Sequence, residues 1–182
     1  MIAGLRGGII AAGEGSRLRA DGYAMSKPML PLRGRPLIVR TLDRFRSAGI
    51  ARVTIIINEE SDDLRRWLGS HAPDVDLIVR TTPSSYASFR IVADRLAPAP
   101  AIVTTVDAIL PDEDFCRFAR EAESFGEDAV ALGVTTYVDD ENPLWATLDA
   151  NGRVVKYSGV AKSSASAAAI WRRKVSTGGG KP

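Results

Sequence analysis

The sequence predicts an α/β domain built on a largely parallel sheet. Two observations carry that reading. Four short apolar runs alternate with helix-length amphipathic stretches, and each stretch opens on proline, serine or aspartate. After residue 128 the alternation gives way to strand-like runs joined by Asn151-Gly152, a hairpin signal. Antiparallel strands are therefore expected to extend a mostly parallel sheet into a mixed one.

The elements follow in order. Ile9, Ile10, Ala11 and Ala12 read as a buried strand stopped by Gly13. Pro36 opens a helix in PLIVRTLDRFRSAG, with Leu37, Thr41, Leu42 and Phe45 on one stripe and Gly49 at its C′ position. ARVTIIIN is a second strand. SDDLRRWLGS is a helix with Ser61 as N-cap and Asp62 and Asp63 in the first turn, where carboxylates suit the helix dipole. VDLIVR and SSYASFRIVADRL repeat the pattern, and AIVTTV is a fourth strand running straight into Asp107. Asp112 begins DEDFCRFAREAESFG, closed by Gly126. DAVALGVTTYV and LWATLDANGRVVKYS read as strands. From Ser158 the chain has no clear period and reads largely as loop, dividing it into a 1–157 domain and a 158–182 tail.

Composition narrows the function. A chain of 182 residues, 45% hydrophobic and 25% charged, suits one soluble globular domain. A net charge of +2 argues against a nucleic-acid or membrane surface. The single cysteine, Cys116, precludes an internal disulfide and suits a reducing compartment. Gly7, Gly8, Gly13 and Glu14 interrupt any secretory signal at the start, and no apolar run approaches the roughly 18 residues of a membrane span. The expected location is cytoplasmic.

Gly13 and Gly15 directly follow the first strand, at the sheet edge where open α/β folds bind ligands. Glycines there let backbone N–H groups approach phosphate oxygens, and Arg17 can add a bidentate contact. On spacing alone, a tight turn requiring positive φ is an equal alternative. Neither standard phosphate motif fits: the dinucleotide fingerprint needs glycine where Leu18 stands, and the ATPase P-loop needs Gly-Lys-Ser/Thr where Gly15 precedes Ser-Arg-Leu.

The longer constellation A-A-G-x-G-x-R followed by K-P-x-L-P-L-x-G-x-P-L-I resembles the nucleotidyltransferases of the glycosyltransferase-A-like fold, the MobA-like and sugar-phosphate nucleotidylyltransferases. The match is close over residues 9–38 and looser through Asp107. The resemblance implies a three-layer α/β/α fold with a mostly parallel mixed sheet. It implies NMP transfer from a nucleoside triphosphate to a small phosphorylated acceptor, with a sugar 1-phosphate the leading choice and pyrophosphate released.

It also assigns residues. Ala11, Ala12, Gly13, Gly15, Ser16 and Arg17 would cradle the nucleotide, with Ser84 and Ser85 nearby. Arg17 and Lys27 would be catalytic, and Asp107 would bind Mg²⁺. Lys27 is the only lysine in the first 155 residues, every other Lys/Arg position there being arginine. A lysine supplies a compact, movable charge that arginine does not. An ionised phosphate nucleophile needs no general base, so transfer rests on alignment and charge neutralisation. The one histidine, His71, then has no catalytic task.

Against the family pattern the C-terminal part is shortened, and the second metal-binding aspartate expected there is not identifiable. Asp139, Asp140, Glu141 and Asp149 are candidates by composition only, and Trp145 and Tyr137 could face an acceptor pocket or belong to the core. The rival reading is a truncated, non-catalytic nucleotide-binding or regulatory domain. An exposed sheet edge would favour a homo-oligomer.

Overall fold

The computed structural model describes residues 4–13, 15, 18, 20–124, 130–135, 145–158 and 166–169. Four parallel strands form its centre: β1 (Arg6–Ala11), β4 (Val53–Ile57), β5 (Asp76–Val79) and β6 (Ala101–Thr105), in the order β5-β4-β1-β6. Their registers run Gly7 against Val53, Gly7 against Ile102 and Thr54 against Asp76. The chain first winds outward from β1 through β4 to β5, then returns to β6 on the other flank of β1. Strand order therefore reverses between β1 and β6, and their C-terminal ends open a crevice of the kind that takes ligands.

Helices cover both faces, giving the three layers expected. On one face α1 (Leu37–Ser47), α2 (Asp62–His71) and α4 (Asp112–Ser124) bury Ile38, Leu42, Phe45, Leu64, Leu68 and Phe115 against Ile9, Ile55 and Ile57. Phe45 and Phe115 meet edge to face, ring centroids 5.1 Å apart. Each such fully buried side chain contributes roughly 1.5–3 kcal/mol of transfer energy. On the other face α3 (Ser85–Leu96) packs Val92 and Leu96 on Ile56, Ala101 and Val103.

β1 begins three residues earlier than the apolar run suggested and contains Gly7 and Gly8. Their role is close approach. A Cβ on Gly7 would stand 2.8 Å from the Phe45 ring, and one on Gly8 would stand 2.7 Å from Val92 Cγ1. The central strand thus carries glycine on both faces where α1 and α3 press closest.

α1 ends in a Schellman motif. Ile50 N–H donates to Phe45 O and Gly49 N–H to Arg46 O, both at 2.9 Å, with Gly49 at φ +78° and Ile50 buried beneath. β2 (Pro31–Leu32) and β3 (Arg35–Pro36) form a small hairpin, turning through Arg33 and Gly34 at positive φ as a type I′ loop requires.

The later strands do not join the parallel sheet. β7 (Leu132–Thr135), β8 (Trp145–Leu148), β9 (Val154–Ser158) and β10 (Ser166–Ala169) form a separate antiparallel sheet in the order β7-β10-β8-β9. The mixed sheet expected from the sequence is thus two sheets, with β10 lying beside β6. β10 comes from the segment read as loop. Its Ser-Ala-Ala-Ala run has no apolar alternation of its own, and pairing with β7 and β8 makes it a strand. The β8–β9 hairpin turns at Asn151-Gly152 as expected, with Asp149 Oδ1 accepting from Asn151 N–H and Arg153 N–H at 2.9 Å each. That engages one oxygen of the Asp149 carboxylate in the turn. Asp139, Asp140, Glu141 and Tyr137 lie outside the described residues. Among the described residues, no helix is long and apolar enough to cross a membrane.

Candidate active site

Gly13 and Gly15 lie beyond the end of β1 and line a cavity of about 440 Å³. The other walls include Tyr23, Met25, Ser26 and Lys27 on one side and Asn58, Glu60, Ser61, Asp62, Asp63 and Arg66 on the other. The two glycines answer the turn-or-ligand question differently. Gly15 has φ +61°, so the backbone itself demands glycine. Gly13 is outside the left-handed range, and a Cβ built on it would meet nothing within 4 Å. Among the described residues nothing requires Gly13 to lack a side chain, and Gly13 borders the cavity.

The loop is held by a residue the sequence reading passed over. Asn58, at the end of β4 and 3% exposed, donates from Nδ2 to Gly13 O at 3.1 Å. Its Oδ1 accepts from Glu60 N–H at 3.1 Å and Ser61 Oγ at 2.7 Å. Ser61 therefore precedes α2 as expected, but its hydroxyl serves Asn58 and makes no cap bond to the helix. A buried amide directly after a β-branched strand is the signal that would have exposed this role.

Lys27 starts a 3₁₀ turn, Lys27–Met29. Ser26 N–H donates to Asp63 Oδ2 at 2.8 Å, fixing the turn to α2. Leu37 N–H donates to Leu30 O at 3.1 Å, fixing it to α1. Among the described residues the buried Ser26 hydroxyl has no hydrogen-bond partner.

Lys27 Nζ donates to Asp107 Oδ2 at 2.5 Å; Lys27 lines the cavity, and Asp107, two residues beyond the end of β6, adjoins it through this contact without lining it. Both side chains stay partly open to solvent, 39% and 43% exposed. Burial pushes the Asp107 carboxyl up. Hydrogen bonds from Lys27 and Thr105 and the lysine charge outweigh it, so Asp107 titrates below the ordinary 3.8 and is an anion at neutral pH.

As a metal ligand, Asp107 offers one hard, half-exposed carboxylate. No group of three or more metal-binding side chains occurs among the described residues. That donor set suits Mg²⁺, which keeps several waters and takes its remaining oxygens from substrate phosphates.

The structure brings together Gly13, Gly15, Lys27 and Asp107. Ala11 and Ala12 adjoin them, but their side chains are buried in the two cores, leaving only backbone to reach a ligand. Ser84 is the N-cap of α3, accepting from Ala87 N–H at 3.2 Å, and neither Ser84 nor Ser85 lines the cavity. Ser16 and Arg17 lie outside the described residues. His71 ends α2 and stacks on Trp67 at 4.8 Å, away from the cavity. Trp145 is half-buried in β8.

A parallel sheet with a reversal between β1 and β6, and with a glycine loop, a lysine and a carboxylate at that reversal, defines an open α/β domain with a polar ligand crevice. The chain belongs to the MobA-like NTP transferase domain family, whose model matches residues 7–167. A glucose-1-phosphate thymidylyltransferase of Actinoplanes sp. is 32% identical over 157 residues, covering 83% of this chain and 51% of that protein. The bifunctional protein GlmU of Rhizobium johnstonii is 26% identical over 132 residues, covering 70% and 28%. The chain thus spans about half or less of the length of these relatives. Among solved structures, a Bacillus anthracis protein crystallised with a sucrose, and provisionally called a glucose-1-phosphate thymidylyltransferase, superposes with a TM-score of 0.71 at 21% identity. It covers 91% of this chain and 68% of that one. This last likeness establishes the fold.

Proposed function

We propose that the chain carries out Mg²⁺-dependent nucleotidyl transfer, moving NMP from a nucleoside triphosphate to a sugar 1-phosphate and releasing pyrophosphate. The observation that supports it most is the Lys27–Asp107 pair, 2.5 Å apart at the sheet reversal and beside a glycine-lined cavity.

The roles follow from charge and place. The backbone N–H groups of Gly13 and Gly15 would face the triphosphate, with Ser16 and Arg17 next in the sequence. Glu60, Asp62 and Asp63 leave the opposite wall net acidic even with Arg66 on it, so phosphates are drawn toward the Lys27 side. The acceptor phosphate oxygen attacks the α-phosphorus, and the bond from that phosphorus to the β-phosphate oxygen breaks. Lys27 neutralises charge on the α-phosphate as it forms and breaks these bonds. Asp107 would hold Mg²⁺, which supplies charge compensation to the phosphates. No side chain need remove a proton, because the acceptor is already ionised.

Among the relatives, the names specify thymidylyl, guanyl and cytidylyl transfer, the acceptors including glucose 1-phosphate and mannose 1-phosphate. The test is a pyrophosphate-release screen crossing dTTP, UTP, GTP, CTP and ATP with those two sugar phosphates. Release with one pair, lowered 10²–10³-fold in Lys27→Ala, is expected of a group that stabilises transition-state charge. Nucleotide binding without release under any pair would leave a binding domain and remove the transferase reading.

A further inference from the structure

We infer that Arg44, with Thr41, is a positioning residue for Asp107: one face of α1 grips the backbone carbonyls on both sides of that aspartate. The inference rests on the proposed role of Asp107. Arg44 is 5% exposed, an unusual place for a guanidinium. Its Nη1 donates to Ala108 O at 2.9 Å, and its Nε donates to Asp112 Oδ1 at 3.2 Å. It therefore spans the segment that follows Asp107, from the residue beside it to the first residue of α4.

Thr41, one turn earlier on the same face and 2% exposed, places its hydroxyl 3.3 Å from Val106 O and 3.0 Å from Leu37 O. Arg44 thus holds the carbonyl after Asp107, and the single Thr41 hydroxyl proton, shared with Leu37 O, reaches the carbonyl before it. The turn itself is closed by Ala108 N–H donating to Thr105 O at 3.3 Å.

The same helix anchors the lysine. Leu37 N–H, at the start of α1, donates to Leu30 O, which closes the turn bearing Lys27. One packed helix therefore sets the place of both members of the 2.5 Å pair. A buried charge with one well-exposed carboxylate partner carries a desolvation cost, and salt-bridge stability alone is a weak reason to retain it. Outer groups that orient a metal-binding carboxylate typically matter 10–100-fold in metal affinity or activity.

The test uses the full chain and measures the dissociation constants of dTTP, UTP, GTP, CTP and ATP by calorimetry, in Mg²⁺ and in EDTA. Their ratio reports how strongly metal and nucleotide support each other. For the nucleotide that binds best, Arg44→Lys should reduce this ratio about 10-fold while its affinity in EDTA stays at the wild-type value. Thr41→Val, nearly isosteric, should reduce it several-fold and carries the same test if Arg44→Lys does not fold. Asp107→Asn is the reference. If it collapses the ratio while both folded α1 variants keep the wild-type ratio, the positioning role is refuted and the Asp107 assignment stands. If Asp107→Asn leaves the ratio unchanged, both are refuted. Equal loss in Mg²⁺ and EDTA for the α1 variants would mean that Arg44 and Thr41 merely hold the fold, which also refutes the inference.

Discussion

Changing glycine to alanine at two positions, Gly8 and Gly13, should have opposite consequences. At Gly8 the new Cβ lies 2.7 Å from Val92 Cγ1, 3.0 Å from Leu96 Cδ1 and 3.1 Å from Val103 Cγ2. Leu96 can swing its tip away. Val92 cannot, because a β-branched side chain in a helix has one favoured rotamer and this one is fully buried. Overpacking of this kind costs about 1–3 kcal/mol, and the stiffer unfolded chain returns about 0.4–1 kcal/mol. A net loss near 1–2 kcal/mol lowers the midpoint by roughly 3–8 °C for a domain of this size. At Gly13 the Cβ meets no described residue within 4 Å and the backbone is not left-handed. Gly13→Ala should therefore keep or slightly raise stability, by up to about 1 kcal/mol. Gly13 borders the cavity and its backbone would lie against the phosphates, so Mg²⁺–nucleotide should no longer stabilise Gly13→Ala, whereas Gly8→Ala keeps the ligand shift of about 2.7 kcal/mol expected at 100 times the dissociation constant. Thermal scans with and without nucleotide measure both. A Gly8→Ala protein as stable as wild type would refute the tight helix contact. A Gly13→Ala protein that is destabilised yet still binds would show that this glycine serves the turn.

Other outcomes can be measured on the same protein. Lys27→Arg should recover little of the turnover lost in Lys27→Ala, since a planar fork does not replace a compact charge; near-complete rescue in steady-state rates would count against the proposed role. Asn58→Ala removes all three side-chain hydrogen bonds of a buried amide and should cost about 1–3 kcal/mol in denaturant unfolding while weakening nucleotide binding; loss of stability alone would separate Asn58 from the site. Asp76 is held below its ordinary 3.8 chiefly by the hydrogen bonds from Arg95, against burial and with help from Thr54. A depressed carboxylate stabilises the fold above its unfolded value, and that contribution is lost as pH falls through the lower folded one. Asp76→Asn should therefore flatten the stability profile below about pH 4, and an unchanged acid limb in unfolding scans would contradict the pairing.

Much of this protein is legible along the chain because its signals are local. Hydrophobic period and β-branched runs mark each parallel strand and helix. Gly49 and Asn151-Gly152 mark ends and turns through their own backbone preferences, and the glycine loop, Lys27 and Asp107 announce themselves by residue type and order. Tertiary structure decided what depends on distant partners. β10 is a strand only because β7 and β8 are there to pair with it, and the antiparallel strands form their own sheet. Gly7 and Gly8 are demanded by Phe45 and Val92, tens of residues away. Asn58 matters through the carbonyl of Gly13, and Arg44 through that of Ala108. A hydrogen bond between residues 45 or 64 positions apart leaves no periodic trace in the sequence. The sequence alone determined the elements and the chemical groups available; packing of α1 and α3 against a central strand determined which of those groups meet, because close contact is a property of facing surfaces.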